Sequence, residues 1–207
     1  MNRAPLPRLC AITDRILAGG AAHDEIVRAL VAGGARWIQI REKLLPAGQL
    51  LAEARRAVGA ARAAGAIVLV NDRADLAFAA GADGVHVGRD DLPAADARRV
   101  LGPGALVGVS THSVEEGIAA ARSPVDYVAI GPIFPTRTKP DAERPVGIDA
   151  VRALASAIPL PIVAIGGIGP DNARDVLGAG AAAIAVISAL YEGRSIEENV
   201  RCLLALL

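Results

Sequence analysis

Residues 67–91, IVLVNDRADLAFAAGADGVHVGRDD, run from a short β-branched stretch through a polar break and an alanine-rich segment to a second β-branched stretch that ends in glycine, arginine and two acids. Unbroken Ile/Val runs of this length are expected of parallel strands covered on both faces, and RADLAFAA reads as the helix that crosses between them. The same alternation recurs on either side. LCAITD, WIQIRE, IVLVND, GVHVG, LVGVS, YVAIG, PIVAIGG and AIAVIS read as strands. Among the helices between them are LLAEARRAVGAARAAG, PAADARRVLG and PDNARDVLGAG, several closed by a glycine suited to a left-handed C-cap. Alternating β and α units in 207 residues predict a single-domain (β/α)8 barrel over residues 1–207. An open doubly wound sheet is the alternative, because alternation does not show closure. The unequal helices and loops have no strict period and exclude a solenoid.

Composition narrows the function. The chain is 53% hydrophobic but only 2% aromatic, so its core is packed mainly by Ala, Val, Leu and Ile. Lys plus Arg and Asp plus Glu balance at 22 each, so no global positive field collects nucleic acid or anionic lipid, and any anion site is local. Cys10 and Cys202 lie near opposite ends without metal-ligand spacing, which argues against structural zinc and a disulfide framework. The first residues, MNRAPLPRLCAITD, lack the apolar segment of a signal peptide, and the expectation is a protein of the reducing cytoplasm. The uncharged stretches 153–170 and 176–191 are too rich in Pro and Gly, or too short, to read as membrane spans. Self-association is compatible with the sequence and not fixed by it.

In a barrel the active site forms at the C-terminal ends of the strands, and most of the unusual chemistry of this chain falls there. Gln39 and Arg41 of QIREK are two apart on a strand and face one side, whereas Ile40 faces the helical layer. Arg41 brings a guanidinium fork and Lys43, one of two lysines, a compact ammonium, a pair suited to a polyanion. The competing reading pairs Arg41 with a carboxylate such as Glu42 or Asp72. Asn71 and Asp72 follow one strand, and Asp90 and Asp91 the next. Carboxylates from adjacent loops suit Mg²⁺, which takes one or two of them with water and phosphate oxygens. Equally, Asp72 and Asp91 stand where helix N-caps are expected. His86 reads as a packed, hydrogen-bonded strand histidine and His112 as a candidate acid or base. Ser110 has no G-x-S-x-G elbow, so a hydrogen-bonding role is expected of it.

The loop FPTRTKPD, residues 134–141, carries the other lysine. Thr136 and Thr138 alternate with Arg137, which turns their hydroxyls the same way, and Pro135 and Pro140 restrict the backbone around Lys139. An ordered anion-binding edge and an exposed polar loop both fit. Gly166 and Gly167 in AIGGIGPDNARDVLG permit close backbone approach, and the helix expected from about Pro170 would present free N–H groups to a phosphate. Two anion sites on one rim imply two phosphorylated substrates or one bisphosphate.

Taken in order, QIREK, NDRADLA, DGVHVGRDD, GVSTHS, GPIFPTRTKPD and IPLPIVAIGGI resemble the thiamine-phosphate synthase family over nearly the whole chain. The resemblance implies a (β/α)8 barrel that joins hydroxymethylpyrimidine diphosphate to thiazole phosphate with Mg²⁺, releasing diphosphate and thiamine phosphate. It implies that Gln39, Arg41, Lys43, Asn71, Ser110 and Lys139 contact the pyrimidine diphosphate and that Asp72 and Asp91 bind Mg²⁺. Thr136, Thr138, Gly167, Ile187 and Ser188 would contact the thiazole phosphate. Ile40, Glu42 and Arg137 join the expected substrate contacts, and Arg41, Lys43, Ser110 and Lys139 are the expected catalytic groups. Arg89 stands where the family often has Gln, and Ala182 and Ala183 where it often has Asp-Gly. A TenI-like thiazole tautomerase and a non-catalytic sensor of phosphate ligands are the competing readings.

Overall fold

The computed structural model describes residues 5–136, 138 and 143–207. Strands β1 (Leu9–Ile12), β2 (Trp37–Ile40), β3 (Ile67–Asn71), β4 (Gly84–Val87), β5 (Leu106–Thr111), β6 (Tyr127–Ile130), β7 (Ile162–Ile165) and β8 (Ala183–Val186) pair in parallel in chain order. The Cys10↔Ala185 register between β1 and β8 closes the barrel, which settles the choice against an open sheet. The outer layer comprises α1 (His23–Ala32), α2 (Ala47–Ala63), α3 (Ala74–Ala80), α4 (Ala94–Leu101), α5 (Val114–Ala120), α6 (Gly147–Ala157), α7 (Ala173–Gly178) and α8 (Ile196–Leu204), with a 3-10 turn at Ser188–Leu190.

Alternation along each strand divides the core in two. Ala11, Ile38, Ile40, Val68, Val70, Val85, Val107, Val128 and Ile184 point outward into the layer under the helices. Cys10, Ile12, Trp37, Leu69, Leu106, Tyr127, Ala129, Val163, Ala183 and Ala185 fill the barrel interior. Because most inward residues of β6 to β8 are small, two aromatic side chains supply much of the interior volume. Trp37 and Tyr127 meet edge to face with ring centroids 5.1 Å apart. Tyr127 finds its room at Gly108, its register partner on β5, where a Cβ atom would come within 2.0 Å of the phenol ring.

Three helix starts differ from expectation. The helix after PIVAIGG begins at Ala173, beyond Pro170, because the Asn172 side chain accepts the Gly169 N–H at 3.0 Å and donates to Gly167 O at 3.0 Å, closing a turn first. Asp72 and Asp91 are not N-caps: Arg73 and Pro93 occupy those positions at α3 and α4, and neither helix has a side-chain cap.

Candidate active site

A buried chain of hydrogen bonds shapes the loop after β2. Arg41 N–H donates to Thr13 Oγ1 at 3.0 Å, Thr13 Oγ1 lies 2.9 Å from His23 Nδ1, and His23 Nε2 lies 3.2 Å from Glu42 Oε2. Thr13 Oγ1 already accepts from Arg41, so its own hydrogen is available to Nδ1 and the His23 Nε2–H to Glu42. The other carboxylate oxygen of Glu42 accepts the N–H groups of Lys43 and Leu44, each at 2.7 Å, and of Leu45 at 3.3 Å. Burial works against the Glu42 charge, but these backbone donors and His23 outweigh it and hold the carboxyl below its ordinary range. Burial is also the main cause that depresses His23. Glu42, expected among the substrate contacts, is thus turned into its own loop, and the Ile40 side chain lies in the layer under the helices. Only the main chain of these two residues remains for a ligand.

Arg41 and Lys43 leave this loop toward different acids. Arg41 Nη1 stands 3.5 Å from Asp14 Oδ2, so it is paired with a barrel carboxylate as the competing reading had it, with Asp14 in the place of Glu42 or Asp72. Asp14 is fixed in turn by the N–H groups of Ile16 and Leu17, which donate to its other oxygen at 3.0 and 3.1 Å. Arg41 Nε is buried and, with Trp37 Nε1, has no hydrogen-bond partner among the described residues. Lys43 Nζ sits 2.5 Å from Asp72 Oδ2. A cavity of about 230 Å³ opens between Asp14, Arg15, Arg41 and Lys43.

Asp72 holds a left-handed backbone, φ 65°, and its N–H donates to His86 O at 2.7 Å. Its carboxyl is close enough to that of Asp91 for the two to act on each other. Burial pushes Asp72 above the ordinary carboxylate range, and the neighbouring Asp91 adds to the rise, against the pull of Lys43. Asp91 Oδ2 also accepts Gly88 N–H at 2.7 Å. Asn71 ends β3 opposite His86, and Gln39 is buried in β2.

The opposite side of the mouth is built differently. A cavity of about 200 Å³ is lined by Ser110, His112, Thr136, Thr138, Gly166, Gly167, Ile187 and Ser188, among others. The threonine hydroxyls do face one another, at 3.3 Å, and Thr138 N–H donates to Thr136 Oγ1 at 3.3 Å. Gly166 and Gly167 adopt φ 100° and 64°. A Cβ at Gly167 would come within 2.7 Å of Phe134 Cβ and Pro135 O, and one at Gly166 within 2.5 Å of Pro132 Cβ. Their missing side chains therefore seat this loop against the loop after β6. His112 Nδ1 donates to Gly131 O at 2.6 Å, since a carbonyl only accepts, and its N–H reaches Glu116 Oε2 at 2.7 Å. Arg89, on the cavity edge, pairs with Glu116 at 2.7 Å and Glu143 at 3.3 Å.

Ser110 lies where the two sides meet, 2.8 Å from His86 Nε2, and His86 Nδ1 lies 2.8 Å from the Tyr127 hydroxyl. His86 is packed and hydrogen-bonded, as its place on a strand implied. Thr13, Asp14, His23 and Tyr127 were missed in the sequence. The signal for Asp14 was available, as the acid closing LCAITD at a strand's C-terminal end, and Tyr127 is one of only two tyrosines. Arg137 and Lys139 lie outside the described residues.

Residues 9–190 match the family model described as thiamine monophosphate synthase. A thiamine-phosphate synthase of Chloroflexus aurantiacus is 46% identical over 199 residues, covering 96% of this chain and 92% of the relative. One of Chlorobium luteolum is 44% identical over 207 residues, covering 100% and 96%. Among solved structures, thiamine phosphate pyrophosphorylase from Pyrococcus furiosus superposes with a TM-score of 0.88 at 36% identity, over 96% of this chain and 94% of the other.

Proposed function

The chain belongs to the thiamine monophosphate synthase family, and from that premise we propose that it joins a hydroxymethylpyrimidine diphosphate to a thiazole phosphate, giving thiamine phosphate and diphosphate. The observation that carries the reading is the buried Nε of the half-buried Arg41 guanidinium, which has no partner among the described residues. A buried donor left unmet is costly, and an anionic ligand meets it.

Arg41 and Lys43 bind the diphosphate, and the Glu42 network keeps both at fixed positions before substrate arrives. Ser110 supplies a hydrogen bond between the two cavities. Thr136, Thr138, Gly167 and Ser188 hold the thiazole phosphate, with Ile187 as an apolar wall. As the C–O bond of the pyrimidine substrate breaks, negative charge grows on the departing diphosphate, and groups already aimed at it stabilise the transition state more than the ground state. The resulting pyrimidine methyl cation is captured by the thiazole nitrogen held next to it, so positioning replaces a protein nucleophile. The family resemblance adds Lys139 to the diphosphate contacts.

The residues present fit Mg²⁺. Two carboxylates forced together, one with a raised pKa, are relieved by a cation between them, and an all-oxygen pair suits a hard one. Among the described residues no larger cluster of ligating side chains occurs, in keeping with an ion that takes its remaining ligands from water and phosphate. Asp72 and Asp91 would hold it, and when bound it neutralises charge developing on diphosphate oxygens. No helix among the described residues is long and apolar enough to cross a membrane.

The test incubates purified protein with both substrates, with and without Mg²⁺, and follows thiamine phosphate and diphosphate. The expected result is equal formation of the two, dependent on the metal. An isomerised thiazole without coupling would select the tautomerase, for which His112 is placed, and ligand binding without product would select a sensor.

A further inference from the structure

His86, Gly108 and Tyr127 occupy one row across β4, β5 and β6, each the register partner of the next. With no side chain at Gly108, the Tyr127 phenol lies across β5 and stacks on the His86 ring, centroids 5.6 Å apart at 20°. This brings the phenol oxygen to 2.8 Å from His86 Nδ1, while Nε2 points along β5 to Ser110 Oγ, also at 2.8 Å. A fully buried hydroxyl is thereby linked through one imidazole to a hydroxyl on the cavity wall.

Two arrangements of protons satisfy these distances. In one, Nδ1–H donates to the phenol oxygen and Ser110 donates to Nε2, so that Ser110 faces the cavity as an acceptor only. In the other, the phenol donates to Nδ1 and Nε2–H donates to Ser110, leaving the serine hydrogen for a ligand. His86 is the one hydrogen-bond partner of the Tyr127 hydroxyl among the described residues. The first arrangement therefore strands a phenol hydrogen in the barrel core, and the second does not. Burial raises the Tyr127 phenol far above its ordinary range, so the oxygen keeps its hydrogen.

We infer that His86 is a positioning residue: Tyr127 fixes its tautomer as Nε2–H, and that tautomer makes Ser110 a hydrogen-bond donor to the departing diphosphate. The catalytic part rests on the proposed function; the tautomer does not. A donor is the useful polarity, because the oxygen it faces gains negative charge as the C–O bond breaks. An acceptor-only serine would oppose that charge.

The first test is long-range ¹H–¹⁵N correlation of the side chains in wild-type protein, with His86 assigned by the signal lost in His86→Gln. The expected pattern has Nε2 protonated and Nδ1 bare. A proton on Nδ1, alone or with one on Nε2, overturns the inference whether or not the protein is a synthase. The second is a kinetic cycle of His86→Leu, Ser110→Ala and their combination. His86→Leu lowers kcat by about 10- to 100-fold with little change in KM, and costs less than about threefold more once Ser110 is already alanine. His86→Gln, whose amide can still donate to Ser110, restores most of the loss. Losses that simply multiply, or a glutamine variant no better than leucine, show that His86 does not act through Ser110.

Discussion

The two sides of the barrel mouth are made from different materials. After β2, β3 and β4 the chemistry is carried by charged side chains in opposed pairs: Arg41 with Asp14, Lys43 with Asp72, and Asp72 against Asp91. Among the described residues after β6, β7 and β8 it is carried mainly by hydroxyls and by two glycines that bring one loop's backbone onto another's, with the Arg89–Glu143 pair at the cavity edge. Charge on long side chains suits a group whose charge changes during the reaction. A backbone cradle suits a phosphate that is only held, since it supplies geometry without committing further charge. Variants on the two sides should therefore fail in different ways.

The largest effect is expected at Arg41. If Arg41 binds the diphosphate as proposed, Arg41→Ala lowers kcat/KM by about 10²- to 10³-fold while binding of the thiazole phosphate, measured separately, is unchanged. Gly167→Ala should do the reverse. A side chain at φ 64°, 2.7 Å from Phe134 and Pro135, costs about 1–3 kcal/mol and displaces the cradle. The KM for thiazole phosphate then rises by about tenfold or more, with the diphosphate KM little altered. Glu42→Gln is milder. Its amide still accepts from part of the loop but loses the charge that gathers three N–H groups, and the diphosphate KM rises by about two- to tenfold.

The smallest effect is the one Asp72→Asn has on stability, and it is opposite in sign to that variant's effect on activity. The Asp72 pKa is raised in the folded protein, so the native state binds a proton more readily than the unfolded chain. The stability it contributes is present below the ordinary carboxylate pKa and is lost as pH rises through the raised value. At neutral pH without metal, Asp72→Asn should then raise Tm and flatten its slope at pH values above the ordinary carboxylate pKa. The same change should weaken the response of turnover to Mg²⁺. A thermal scan across that range, repeated with the metal, checks both.

Much of the fold was legible because fully buried parallel strands advertise themselves as β-branched runs, and all eight fell where those runs stand. Closure was not, since it depends on β1 meeting β8, a contact between the ends of the chain. In the site, residue types were readable and partners were not. Arg41 and Glu42 are adjacent, so their side chains leave the strand end in opposite directions, and Glu42 meets a histidine from α1 instead. The contact between Tyr127 and His86 required a glycine on the strand between them, which reads in sequence only as a weak point in LVGVS. The caps assigned to Asp72 and Asp91 failed because each helix starts later than the polar break suggests.

The separation of the two sides is tested most directly by calorimetric titration of inorganic diphosphate, with Mg²⁺, into wild type, Arg41→Ala and Gly167→Ala. Binding should be lost or severely weakened in the arginine variant and stay close to wild type in the glycine variant. Retention in Arg41→Ala together with loss in Gly167→Ala would contradict the assignment of the charged side to diphosphate.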